Sequence, residues 1–180
     1  EGTFNAAFVP SYSSELTKGG IRPNKFANDV FNLLVLSLLA LVLLAQVFMP
    51  ALVSLIAPGF IDDLEKISLA IKLTRITFPF LLLISLASFF SAILNSHNKF
   101  AAASAAPIIL NVVLIITLLC AKYLDDNLVI YMSYGVSIAG FIQMIFLIFT
   151  LKKIYKPQFK VILNIDNKIK SFFKKLLPSI

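Results

Sequence analysis

At 180 residues the chain would make roughly one domain, yet 59% of its residues are hydrophobic, only 14% are charged, and the mean hydropathy is +0.91. A soluble domain carries about 45–50% apolar and about 25% charged residues, so this composition excludes an ordinary water-soluble globule and points to an integral membrane protein. The net charge of +7 does not require nucleic acid as a partner, because basic loops against anionic lipid headgroups account for it.

Residues 1–14 read as the end of a membrane helix, with Phe4, Ala7 and Phe8 at helical spacing and Pro10 before "SYSS" marking its exit. "TKGGIRPNKFAND" follows as a polar turn broken by Gly19, Gly20 and Pro23. No charge occurs between Asp29 and Asp62, so the first complete span is expected over 30–57, stopped by Pro58 and Gly59. Over 61–75, Ile61, Leu64, Ile67 with Ser68, and Ile71 share one face of an amphipathic external helix. That helix runs into a second span over 76–96, which Pro79 should kink. Third and fourth spans are predicted over 101–122 and 128–151. Beyond the stop "LKKIYKPQFK", residues 165–177 align Ile165, Ile169, Phe172, Phe173, Leu176 and Leu177, with lysines around them. A basic amphipathic helix lying in the membrane interface and leading to another span fits that pattern.

Each of the four long runs reaches the length of about 20 apolar residues that a helix needs to cross a bilayer. They are apolar on every side, without the polar stripe of a soluble helix or the alternation of a membrane barrel. The fold class is therefore all-α: a polytopic integral membrane protein with four complete transmembrane helices, the end of one helix and the start of another. No basic region followed by an apolar core marks a cleavable signal peptide. Since Glu1 is not preceded by Met and the chain stops at "KKLLPSI", it reads as an excerpt of a longer protein.

The loops give an orientation. Alternate crossings put 11–30, 95–100 and 152–175 on one side with twelve basic residues, and 57–75 and 121–127 on the other with four. The positive-inside rule makes the twelve-residue side cytoplasmic.

Catalytic signals are thin. His97 stands beside Ser96 and near Ser91, which raises an intramembrane hydrolase, but the polar loop "NSHNKF" at the membrane surface accounts for it more simply. The pairs Asp62–Asp63 and Asp125–Asp126 are isolated solvated caps, and no cluster with metal-ligand spacing or phosphate-binding Gly-rich loop occurs. No catalytic residue, metal or cofactor is assigned, and no nucleic-acid partner. Cys120 reads as a small apolar packing residue. Polar residues at membrane depth remain: Glu1 and Asn5 as cavity candidates, Asn111 and Gln143 as interhelical hydrogen-bonders.

"EGTFNAAFVP", "APGF", "LTRITFPFLLLISLASFFSAILNSHNKF" and "AAPIILNV", in this order and spacing, resemble the MurJ/MviN family of lipid II flippases, and "KPQFKV" matches that family's cytoplasmic link. The resemblance implies a bacterial inner-membrane, multi-pass transporter of fourteen helices in two related lobes around a central cavity. This chain would run from within helix 2, through helices 3 to 6 and the amphipathic segment, to the threshold of helix 7. The implied substrate is lipid II, the undecaprenyl-linked peptidoglycan precursor, and the implied partners are membrane lipids and the remaining helices of the full-length protein. It places Glu1 beside a hydrophilic cavity, where its carboxylate would position an Arg that binds pyrophosphate, with Asn5 on the same helix. It places Asn95, His97 and Lys99 in a cytoplasmic gate loop. Asn98 and Lys99 stand where the family often has Gly and Arg, and Ala102, Ala103 and Ser104 where it often carries a Pro. Losing the Gly should narrow the backbone options of that loop. Three rivals differ in what they demand: an exporter of similar architecture for polysaccharide-lipid or drug-like cations, an intramembrane hydrolase built on His97, and a non-transporting scaffold.

Overall fold

The computed structural model describes residues 2–123 and 128–159, and among them every regular element is helical, with no strand. Seven α-helices follow in order: α1 (Gly2–Lys18), α2 (Arg22–Val47), α3 (Met49–Ile56), α4 (Leu64–Thr77), α5 (Phe80–Ser96), α6 (Phe100–Tyr123) and α7 (Leu128–Leu151), with a 3₁₀ turn over Pro58–Phe60. Among the described residues four segments are long and apolar enough to cross a membrane: Arg22–Val47, Leu64–Ser96, Phe100–Tyr123 and Leu128–Leu151. Glu1, the Asp125–Asp126 turn and the basic amphipathic segment 165–177 lie outside the described residues.

Several boundaries differ from the sequence expectation. α1 runs through Pro10 to Lys18 instead of ending at 14, and it stops where Gly19 and Gly20 take φ of +69° and +70°. Those two positive values are accessible to glycine at no steric cost, so the glycines end the helix and the proline does not. α2 begins at Arg22, eight residues before the expected 30, because Pro23 sits at the second helical position where a missing N–H costs nothing. Phe26, Ala27 and Val30 then bury one face of that early stretch. The span is also interrupted at Phe48, which separates α2 from α3. Pro50 explains the break, since its ring clashes with the carbonyl four residues back and it has no N–H to offer. The external helix is α4, over Leu64–Thr77. Asp63 is its N-cap, accepting a hydrogen bond from the Lys66 N–H at 3.1 Å and pairing with Lys66 Nζ at 2.7 Å. Ile67 and Ile71 pack inward as expected, but Leu64 and Ile61 are exposed.

Pro79 breaks the helix between α4 and α5. Proline has no N–H for the carbonyl four residues earlier, that of Arg75, and Gln46 Nε2 of α2 donates to it at 2.9 Å. The next carbonyl, that of Ile76 in the last turn of α4, accepts from Ser137 Oγ of α7 at 2.6 Å. Neighbouring helices thus satisfy groups that hydrocarbon could not.

α5 is the centre of the bundle and touches α1, α2, α6 and α7. Its Phe89 and Phe90 join Phe8, Tyr12, Phe26 and Tyr155 in one buried aromatic core. Ring centroids at 5.2 Å for Phe8–Phe89 and 5.4 Å for Phe89–Phe90, both edge-on, fit the preferred geometry of aromatic pairs. α7 approaches closely where side chains are small: a Cβ on Gly135 would lie 2.6 Å from Thr117 of α6. The outer faces remain apolar, as on α6, where Ile108, Val112, Ile115, Ile116 and Leu119 form an exposed stripe. Such a stripe is untenable in water and neutral in lipid.

Candidate functional site

One stripe of α1 faces the bundle. Asn5, Phe8, Tyr12 and Glu15 follow at helical spacing; Phe8, Tyr12 and Glu15 are buried, and Asn5 is half-buried with its Oδ1 fully enclosed. Phe4 of α1, Leu34 of α2 and Leu81, Ile84, Ser85 and Ser88 of α5 line a cleft of about 380 Å³ between these helices. Ser88 Oγ in that cleft, and Oδ1 of Asn5, which follows Phe4 on α1, have no hydrogen-bond partner among the described residues. Burying such a group unpaired costs about 1–3 kcal/mol, so a chain that keeps two of them on neighbouring helices leaves polar capacity for something else.

Toward the other end of the same two helices, Tyr12 Oη meets His97 Nε2 at 3.3 Å, a long hydrogen bond joining α1 to the loop between α5 and α6. That loop is a Schellman turn: the Lys99 N–H donates to the Leu94 carbonyl at 2.9 Å and the Asn98 N–H to the Asn95 carbonyl at 3.0 Å. Asn98 supplies its left-handed residue, with φ of +58°. The expected narrowing of backbone freedom is therefore met by the residue type that, after glycine, tolerates this region best. Burial and the adjacent Lys99 charge together hold the His97 imidazole below its usual 6.5, so the neutral ring predominates at neutral pH.

The expected gate residues Asn95, His97 and Lys99 are brought into one turn, but only His97 reaches another helix. The side chains of Asn95 and Lys99 have no hydrogen bond or ion pair among the described residues. Ser96 Oγ donates to the Ala92 carbonyl of its own helix at 2.9 Å and His97 is engaged by Tyr12, so the serine–histidine pair of a hydrolase is not assembled. Among the described residues no three His, Cys, Asp or Glu side chains group as metal ligands. Among the described residues neither Gln143 nor Asn111 makes the expected interhelical bond: Gln143 is buried but its Oε1 finds no partner, and Asn111 is exposed on the outer face of α6. Cys120 is likewise exposed instead of packed.

Two groups escaped the sequence reading. Glu15 is buried and held by Lys18 Nζ at 2.8 Å; its spacing from Phe8 and Tyr12 was the available signal. Tyr155 reaches across from beyond α7 to donate to Asn28 Oδ1 at 2.6 Å, a pairing 127 residues apart that local pattern cannot reveal.

A family model described as "Lipid II flippase MurJ" matches residues 1–180. The "Probable lipid II flippase MurJ" of Rickettsia prowazekii (strain Madrid E) is 40% identical over 154 residues, covering 85% of this chain and 30% of that protein. The protein of the same description from Rhizobium tropici is 43% identical over 149 residues, covering 80% of this chain and 28% of its own length. A solved structure titled "Lipid II flippase MurJ, inward closed conformation" superimposes with a TM-score of 0.78 at 29% identity, covering 99% of this chain and 36% of that one. The chain thus spans about a third of the length of the relatives it matches.

Proposed function

Because the chain belongs to the lipid II flippase MurJ family, we propose that it is one portion of a flippase that carries undecaprenyl-pyrophosphate-linked disaccharide-pentapeptide from the cytoplasmic to the outer leaflet for cell-wall synthesis. In that role α1 is the end of helix 2, α2 with α3 is helix 3, α4 with α5 contributes helix 4, and α6 and α7 are helices 5 and 6. The setting is the bacterial inner membrane, and the protein works as a transporter, with no bond of the substrate made or broken. Transport proceeds by alternating access, which lets a charged headgroup cross inside a polar cavity and avoid the cost of entering hydrocarbon.

The observation that supports this reading best is the cleft of about 380 Å³ between α1, α2 and α5, with the unpartnered oxygens of Ser88 and Asn5 at the helices that border it. In this assignment Glu1 and Asn5 belong to the substrate cavity. Asn95, His97 and Lys99 belong to the gate, where the Tyr12–His97 bond ties the loop to the cavity helix. Depleting the full-length protein in cells without a second flippase should stop outward exposure of the precursor. Continued exposure at the normal rate would rule the assignment out.

A further inference from the structure

At the lysine-rich face, α2 begins beside the end of α7. The segment after α7 is laid across the first turns of α2 by three hydrogen bonds. Tyr155 Oη and the Gln158 N–H both donate to Asn28 Oδ1, at 2.6 and 3.2 Å, and Asn32 Nδ2 donates to the Gln158 carbonyl at 3.1 Å. Burial, with the charge of Asp29 and the neighbouring Tyr12 adding to it, pushes the Tyr155 phenol well above its usual 10.0, so it stays a donor throughout the neutral range.

This clamp leaves a depression of about 310 Å³ lined by Asn24, Asn28, Lys152, Lys153, Tyr155 and Lys156, with Ile154 and Gln158 completing it. Among the described residues no carboxylate lines it, and the nearest negative charge acting on its lining is that of Asp29 on Tyr155. The three ammonium groups have no ion pair or hydrogen bond among the described residues, so they are not consumed in capping the carbonyl end of α7. The start of α2 adds to the same sign. Its N-cap is Ile21, with no side-chain hydrogen bond; Pro23 has no N–H and the Lys25 N–H donates to the Ile21 carbonyl at 3.1 Å, so the open backbone donors of this end are those of Arg22 and Asn24. Three cations, an uncapped helix N-terminus and amide donors form a receptor for a phosphate anion.

Position selects the source of that phosphate. The apolar run of α7 ends at Leu151, one residue before Lys152, which puts the depression at the depth where lipid phosphates lie. We propose that this depression binds the phosphate of an anionic phospholipid in the leaflet at the lysine-rich face, and so fastens the α7 exit to α2. The site is separate from the cleft between α1, α2 and α5, and its occupancy does not depend on what that cleft transports.

The test uses the purified full-length protein in phosphatidylcholine nanodiscs doped with phosphatidylglycerol. Retained lipid is counted by native mass spectrometry, and thermal stability is followed in parallel. The intact protein should retain phosphatidylglycerol over phosphatidylcholine by about tenfold or more, and Lys152→Gln/Lys153→Gln/Lys156→Gln should abolish that preference. The single exchange Lys156→Gln, which leaves the clamp untouched, should weaken it about fivefold. Removing two charges at the opposite end, Lys72→Gln/Lys122→Gln, should leave it unchanged. Equal loss in that control, or full retention in the triple variant, would overturn the proposal. So would inorganic phosphate giving the same lysine-dependent stabilisation with phosphatidylglycerol adding nothing, since the lipid would then not be the ligand.

Discussion

Asn98 and His97 occupy adjacent positions in one turn and are constrained in opposite ways. Asn98 is held by its backbone, at φ +58°, and donates through its N–H to the Asn95 carbonyl. Asn98→Gly should raise thermal stability by up to about 1 kcal/mol, whereas the β-branched Asn98→Val should lower it by about 1–2 kcal/mol. Melting curves of the two variants in the same detergent separate these outcomes, and equal stabilities would show that the turn is not under left-handed strain. His97 is held by its side chain, and its depressed pKa means that the fold favours the neutral ring. The associated stability is complete above 6.5 and is lost as pH falls through the lowered folded value, because protonation is then easier in the unfolded chain. His97→Gln should therefore flatten the stability profile between about pH 5 and 7 relative to the parent. An unaltered profile would assign that pH dependence to other groups. The side chains of Asn95 and Lys99 make no hydrogen bond or ion pair among the described residues, and since the Lys99 charge helps hold His97 neutral, Lys99→Ala should shift the pH profile of His97 slightly upward.

Among the elements, the α4–α5 break is held from both flanks. Ser137 and Gln46 each fill a backbone acceptor that the Pro79 break leaves open. Interhelical hydrogen bonds in membranes contribute about 0.6 kcal/mol on average and at most about 1.7 kcal/mol. Ser137→Ala, at the half-buried and shorter bond, should fall near the upper figure, and Gln46→Leu, at an exposed one, near the lower. Reversible unfolding in mixed micelles would read both, and a reversed order would mean that exposure does not govern these bonds. The α6–α7 contact is governed by size instead. A methyl group at Gly135 would lie 2.6 Å from Thr117 Cγ2, and a β-branched side chain has little freedom to withdraw. Gly135→Ala should cost about 1–3 kcal/mol, and adding Thr117→Ala should recover much of that loss. Simple additivity of the two substitutions would refute the close-approach explanation.

At the scale of the whole molecule, the apolar outer surface and the uneven lysines describe the same object from two sides. Exposed leucines and isoleucines on α2, α6 and α7 have no reason to avoid lipid, and the basic ends hold the bundle upright in it. The orientation is testable at residues 124–127, between α6 and α7. With Cys120→Ser removing the native thiol, a cysteine introduced by Asp126→Cys should react with an impermeant maleimide in intact spheroplasts. Labelling only after lysis would invert the assigned topology, and with it the direction in which the cleft between α1, α2 and α5 would first open.

What was legible in the sequence was set by transfer free energy, summed over consecutive residues. The four apolar crossings, the capping role of Asp63 and the lysine asymmetry all come from neighbours in the chain, and α7 over Leu128–Leu151 coincides with its apolar run. Helix ends were harder to place, because Pro10 is tolerated within α1 while Pro50 breaks α2 from α3, and local pattern does not separate the two cases. The polar pairings were decided by tertiary structure alone. Tyr12 and His97 are 85 residues apart and Tyr155 and Asn28 are 127, and nothing in either local pattern specifies the other partner. Asn111 and Gln143 make the same point in reverse: a polar residue at membrane depth is visible in the sequence, but whether it finds a partner depends on how the helix is rotated against its neighbours, and only packing sets that rotation.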